Sequence, residues 1–270
     1  MDKIIGFIGT GNMGQAMIGG MIKSGAFGTM KIMVNDLDKQ KLDSIRENPE
    51  IEIAENLEIL VRRSDIIVLA VKPNAYDDVM ESIKGYITDK KVIVTIAAGK
   101  SIASMESILG SQTKVVRSMP NTPALVGEGM SVLCCNKNVS QLELNDVKLI
   151  FESFGKVEIL EESAIDVVIG ISGSSPAYVF MFIEAMADAA VLHGMSRVTA
   201  YKLASQAVLG SAKMVLETGK HPGELKDMVC SPGGTTIEAV AELEKLGLRN
   251  SIIKGVTRAI EKSVQMNKIL

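Results

Sequence analysis

The stretch GTGNMG, Gly9 to Gly14, directly follows the apolar run KIIGFIG (Lys3–Gly9) and opens a helical pattern over Met13–Gly25. Three glycines at this spacing leave few architectures open. The first makes a tight turn, the second lets a phosphate approach the backbone, and the third lets helix and strand pack closely. The spacing alone would also suit an ordinary glycine-rich turn. The strand before it and the helix after it are what point to a dinucleotide cradle.

The rest of the N-terminal part repeats that unit. KIMVN (Lys31–Asn35), DIIVLAV (Asp65–Val71), KVIVTIA (Lys91–Ala97) and KVVRSMP (Lys114–Pro120) read as strands, with amphipathic stretches such as Asp38–Glu47 between them. Nearly continuous Val and Ile implies strands buried on both faces, hence a parallel sheet with helices on each side. MSVLCCN and GKVEIL predict two more strands flanking a helix over Gln141–Phe154. After about residue 160 the strand signals stop, and PAYVFMFIEAMADAAVLHG, VTAYKLASQAVLGSAKMVLETG and Leu248–Asn267 read as long helices. The fold class is therefore an α/β Rossmann-type doubly wound sheet followed by an all-α C-terminal dimerisation domain, divided as 1–160 and 161–270. Dimerisation follows from the first long helix. Val179, Met181, Phe182, Ile183, Met186 and Val191 make it apolar nearly all round, and a domain this small has little to bury it with except a second copy.

Bulk properties exclude several classes. A net charge of −3 with 4% aromatic residues and no Trp offers no footprint for nucleic acid. Three cysteines, two of them adjacent, and two histidines form neither a disulfide framework nor a zinc spacing, which suits a reducing compartment. No secretory signal and no apolar run of membrane-spanning length is read from the sequence, so a cytoplasmic protein is expected.

Ligands of open α/β sheets bind beyond the carboxyl ends of the strands. That places Val71, Lys72 and Pro73 along a cofactor crevice, with the small residues of IAAG (Ile96–Gly99) leaving room for a nicotinamide and MPNTP (Met119–Pro123) forming a rigid turn. At the end of the second strand two readings stand side by side. Asp36 binds a ribose 2′-hydroxyl and favours NADH, or Asn35 meets the ribose while Lys39 and Lys41 receive the 2′-phosphate of NADPH.

A second anion site is expected in SPGGTTIEAV (Ser231–Val240), where glycines precede a helix start and Thr235 and Thr236 add hydroxyl donors. A general acid is harder to find. His193 lies at a helix end, His221 belongs to a turn before Pro222, Cys230 reads as a spectator thiol and Tyr178 as a packed residue. An iminium substrate removes the need, because it already carries the charge that draws hydride to carbon. The helix start would then hold the substrate's carboxylate.

SGSSPAYVF, followed by VCSPGGTTIEAV and preceded by GFIGTGNMG, AVKP, AAG and MPNTP, resembles the pyrroline-5-carboxylate reductase family over essentially the whole chain. The resemblance implies reduction of 1-pyrroline-5-carboxylate to L-proline by NADPH or NADH, the last step of proline biosynthesis. It also implies a homodimer, in some members assembled into a ring of dimers. Carried onto this chain, it implies cofactor contacts from Ile8, Gly9, Thr10, Gly11, Asn12, Met13, Asn56, Ala70 to Pro73, Ala97 and Ala98. Ser231, Gly234, Thr235 and Thr236 would hold the substrate carboxylate, and Glu162 would approach the substrate. Two positions depart from the family pattern: Ser175 replaces a glycine, and Ile169 stands where many members have a threonine that bonds the substrate nitrogen.

Three other readings compete with this one. A 3-hydroxyacid dehydrogenase needs a lysine near the start of the helical domain, and Ile165–Tyr178 contains none. A reductase of another cyclic imine carboxylate would use the same machinery. A non-catalytic NAD(P)-binding protein would have no use for a second anion site.

Overall fold

The computed structural model describes residues 3–25, 31–46 and 48–269. Eight strands form one sheet in the order β3-β2-β1-β4-β5-β6-β7-β8. They are β1 Ile4–Ile8, β2 Lys31–Asn35, β3 Ile51–Ile53, β4 Ile66–Leu69, β5 Val92–Thr95, β6 Lys114–Met119, β7 Gly129–Cys135 and β8 Gly155–Ile159. The helices α1 Asn12–Ser24, α2 Lys39–Arg46, α3 Leu57–Arg63, α4 Tyr76–Ile83, α5 Ile102–Leu109 and α6 Gln141–Glu152 lie between them. Every expected strand forms, with ends trimmed by a residue or two. Glu47, expected to end α2, lies outside the described residues.

Successive side chains of a strand point to opposite faces. Ile66 and Val68 of β4 pack with Met17 and Met21 of α1 and Phe151 of α6. Ile67 and Leu69 pack on the other face with Leu60 of α3, Met80 of α4 and Met105 of α5. Helices therefore cover both faces, which is why these strands need apolar residues at every position. The chain order reverses at β1 and β4, which are parallel neighbours. β7 runs antiparallel to β6. The connection between them, 120–128, holds only a 3₁₀ turn at Thr122–Val126, too short for the crossover a parallel pair needs.

No strand follows Ile159 among the described residues. α7 Ile165–Val168, a π-helical turn Ile169–Gly173, α8 Ser175–Leu192, α9 Arg197–Thr218, α10 Pro222–Val229, α11 Thr235–Lys245 and α12 Leu248–Ile269 complete the chain. Packing groups the chain into one unit of Met1–Ser174 with Ala259–Leu270 and a second of Ser175–Arg258. Residues just past 160 belong to the first unit for identifiable reasons. Ile165 and Val168 are buried in its core. Asp166 Oδ1 accepts from Ser263 Oγ at 2.5 Å and from Asn267 Nδ2 at 2.8 Å, which ties in the end of α12.

The expectation that no segment is long and apolar enough to cross a membrane is corrected. The continuous helical stretch Glu162–Leu192 spans 31 residues with mean hydropathy 1.4 in its most apolar window. Sequence reading begins the helix at Pro176, whereas the structure carries a helical stretch into it from Glu162 by way of the π-turn. Within the chain α8 leaves Phe180, Met181 and Phe182 exposed, and of its residues Ala187 alone is fully buried.

Candidate active site

The cofactor residues expected from the sequence gather at the carboxyl ends of β1, β2, β3, β4 and β5, neighbours in the sheet. Gly9 adopts φ +96°, and a Cβ there would meet the Ala70 carbonyl carbon at 2.8 Å. A Cβ on Gly14 would meet the Gly9 carbonyl oxygen at 2.9 Å, so both positions exclude a side chain. Gly11 differs: a Cβ there would stand in open space. Gly11 is also the N-cap of α1, and no side chain caps that helix. Free N–H groups at the dipole's positive end, facing space that a side chain would occupy, fit a pyrophosphate.

Not every expected residue points its side chain at that space. Ile8 is 2% exposed and sits in the core, so its part is confined to the backbone. Its carbonyl accepts the Ala70 N–H at 2.8 Å, joining the loops after β1 and β4. Met13 packs against the core as well. Thr10 is fully buried, and both its N–H (2.6 Å) and its hydroxyl (2.8 Å) donate to Asp36 Oδ2.

An open cavity of about 1020 Å³ lies beside this loop, walled by Asn35, Asp36, Lys39, Arg46, Glu52 and Asn56 among others. Asn35 donates its side-chain amide to the Ala54 carbonyl at 3.1 Å, and Asn56 Oδ1 caps α3 by accepting the Ile59 N–H at 2.9 Å. Burial by itself would raise the Asp36 pKa. Hydrogen bonds from Asp38 and Thr10, helped by the Lys41 charge, outweigh it and hold the carboxyl below its ordinary range. Sequence reasoning missed the β3 side of this cavity. Its signal was the alternation Glu50-Ile51-Glu52-Ile53, three residues of which form the strand.

On the other side of Gly9, Lys72 is the N-cap of a 3₁₀ turn begun by Pro73. Behind these residues stands Tyr76, fully buried and absent from the expectations. Its hydroxyl donates to the Leu69 carbonyl and accepts from Thr95 Oγ1 (3.2 Å) and the Ile96 N–H (3.3 Å). Thr95 Oγ1 in turn accepts the Ala97 N–H at 3.2 Å. This knot fixes the ends of β4 and β5 and the backbone of Ala97, whose side chain is buried as a floor. Burial pushes the Tyr76 hydroxyl up to about 12, so it stays protonated.

Ala98 and Gly99 line a smaller cavity of about 200 Å³ with Ile169, Ser174, Lys262 and Met266. Ile169 therefore presents an apolar wall, in keeping with its being a departure from the threonine of the family pattern. Glu162 is engaged elsewhere: Oε1 accepts from Arg117 Nη1 and from the Ile102 N–H that opens α5, both at 2.8 Å.

Ser231, Gly234, Thr235 and Thr236 lie in the second unit. Gly233 takes φ +65°, and the Gly234 N–H closes a turn onto the Ser231 carbonyl at 3.0 Å. Gly234 is the N-cap of α11 and no side chain caps it. A Cβ on Gly234 would strike Ser231 Oγ at 2.3 Å, so that hydroxyl stands over the helix start beside two threonines of the first turn. Ser231 and Thr235 are exposed. His221 spends Nδ1 capping α10, accepting the Gly223 N–H at 3.0 Å.

Residues 162–266 match the family model for pyrroline-5-carboxylate reductase dimerisation, and residues 4–99 match that for NADP oxidoreductase, coenzyme F420-dependent. The chain is 50% identical to the pyrroline-5-carboxylate reductase of Escherichia coli (strain K12), covering 99% of this chain and 100% of that one. It is 44% identical to that of Methanosarcina acetivorans, covering 99% of each. Among solved structures, the Plasmodium falciparum pyrroline carboxylate reductase with NADP bound superposes with a TM-score of 0.87 at 36% identity, covering 98% of both chains. The Coxiella burnetii pyrroline-5-carboxylate reductase gives 0.91 at 34% identity, covering 97% of both. With an uncapped glycine turn between β1 and α1, an open cavity beside it at the ends of β2 and β3, and these full-length likenesses together, the chain belongs to the pyrroline-5-carboxylate reductase family of NAD(P)H-dependent oxidoreductases.

Proposed function

We propose that the chain reduces 1-pyrroline-5-carboxylate to L-proline, the last step of proline biosynthesis, with its own residues divided between two tasks. The observation that carries the assignment is a pair of uncapped helix starts in one chain, Gly11 before α1 and Gly234 before α11. The first binds the cofactor's pyrophosphate, and the second binds the substrate's carboxylate.

Gly9 to Met13 hold the phosphates through backbone N–H groups, and Asn35, Asp36 and Asn56 line the adenosine end. Ala70 to Pro73 with Ala97 and Ala98 shape the nicotinamide end. When bound, the reduced nicotinamide supplies the hydride. Ser231, Gly234, Thr235 and Thr236 fix the carboxylate of the imine acid and so set the orientation of its C=N bond. No side-chain acid is required, because the imine enters protonated. Glu162 acts through Arg117 and the start of α5, positioning the helix that begins at Ile165.

The functional division follows the same line, with 1–160 for cofactor binding and 161–270 for substrate binding and dimerisation. The apolar faces of α8 and α9 meet a second copy, giving a homodimer and, by further contacts, a ring of dimers. The reading supposes no nucleic-acid partner and no membrane insertion, the protein working in the cytoplasm. A second reading, reduction of another cyclic imine carboxylate, draws on the apolar wall that Ile169 gives the cavity beside Ala98.

The test follows absorbance loss of NADH and of NADPH with 1-pyrroline-5-carboxylate. Turnover is expected. Folded protein that binds cofactor yet oxidises neither would reject this substrate and favour the second reading, to be tried with other cyclic imine acids.

A further inference from the structure

We propose that Asp36 makes the adenosine pocket select a ribose with a free 2′-hydroxyl, so that NADH is preferred over NADPH. This inference rests on the dinucleotide reading of the crevice and deepens it.

Anion-binding devices at the end of β2 are already satisfied by the protein's own carboxylates. Asp36 Oδ2 takes both the N–H and the hydroxyl of Thr10, at 2.6 and 2.8 Å. Asp36 Oδ1 takes the Asp38 N–H at 2.9 Å. The first turn of α2, a natural phosphate site, is held by Asp38 Oδ1 through the Gln40 N–H at 3.0 Å. A carboxylate oxygen has two lone pairs, so Oδ1 keeps one acceptor position. A ribose hydroxyl can donate to it. A 2′-phosphate is fully deprotonated or nearly so, has little to donate, and meets a fixed negative charge.

The cations nearby do not reverse this. Of the two that line the cavity, Lys39 and Arg46, Arg46 lies 3.6 Å from Asp43, which lines it too. Lys41 lies 3.7 Å from Asp38. Glu52 and Glu55 add further negative charge to the wall, Glu52 being paired with Arg63 at 2.9 Å. The lining carries more carboxylates than cations, the reverse of a phosphate pocket. The low Asp36 pKa keeps that carboxylate charged throughout the physiological range.

The experiment is fluorescence titration of the full chain with NADH and NADPH, followed by kcat/KM for each with 1-pyrroline-5-carboxylate. NADH should bind at least about tenfold more tightly, since two like charges a few ångströms apart repel strongly in a partly buried site. Asp36→Asn keeps the shape and an acceptor for Thr10 while removing the charge, and should raise NADPH affinity toward that of NADH. Asp36→Ser should go further, toward NADPH preference. Wild-type affinity for NADPH equal to or above that for NADH would overturn the proposal, as would an unchanged ratio in a folded Asp36→Asn variant. If the variants do not fold, the wild-type ratio decides. Binding of neither dinucleotide would reject the dinucleotide reading itself. A binding preference for NADH without imine turnover would leave this inference standing and reject the substrate.

Discussion

The glycine loop separates residues that shape the protein from one that shapes its ligand. Gly9 and Gly14 lack room for a side chain, whereas a Cβ on Gly11 meets nothing within 4 Å. Gly11→Ala should therefore leave the melting temperature close to wild type and weaken cofactor binding at least about tenfold by crowding the pyrophosphate; unaltered affinity by titration would contradict the cradle. Thr236→Ala removes one charge-assisted hydrogen bond from the carboxylate clamp, about 1.5–3 kcal/mol. KM for the imine acid should rise roughly 10- to 100-fold with cofactor affinity unchanged, and a KM equal to wild type would discredit the clamp. The position of Asp36 at the end of β2 was legible from the sequence, but its bonds to Thr10 were not, because they join residues 26 apart in the chain. Its pH behaviour follows from its lowered pKa. The stabilisation is present above the ordinary value of 3.8 and is lost as pH falls through the lower folded value. Urea titrations should show wild type more stable than Asp36→Asn at pH 7, with the gap closing only in strong acid.

At the scale of elements, the long periodic or continuous runs were readable and the short ones were not. Seven strands and the helices α1, α2, α6, α8, α9, α11 and α12 follow from apolar spacing, since each has enough residues to show a period. β3, three residues long, and α3, seven residues long, are too brief for that. Tyr76 shows what such short elements hide. As the first residue of α4 it looks like one more aromatic, yet its hydroxyl joins the ends of β4 and β5. Tyr76→Phe strands the Ile96 N–H and the Thr95 hydroxyl in a buried place, which should cost about 1–3 kcal/mol. Chemical denaturation measures this, and a loss below about 0.5 kcal/mol would mean that the knot carries little.

For the whole molecule, the decisive feature is apolar surface that one chain does not cover. Phe180 is 63% exposed and Met181 68% exposed on a helix apolar enough to read as a membrane span. The dimerisation model that matches 162–266 accounts for that surface. Sedimentation at micromolar concentration should show an oligomer, and the melting temperature should rise with protein concentration. A stable folded monomer under those conditions would refute it.

The sequence by itself determined the architecture, the glycine turn after β1 and the two helix starts, because glycine spacing and apolar periodicity are local and each tolerates few backbones. Only the tertiary structure decided where Asp36, Glu162 and Tyr76 place their polar atoms, and that residues 162–174 and the end of α12 pack in one unit with the sheet. Those outcomes depend on which buried donors lack a partner once distant segments meet, and nothing in the order of residues along the chain carries that information.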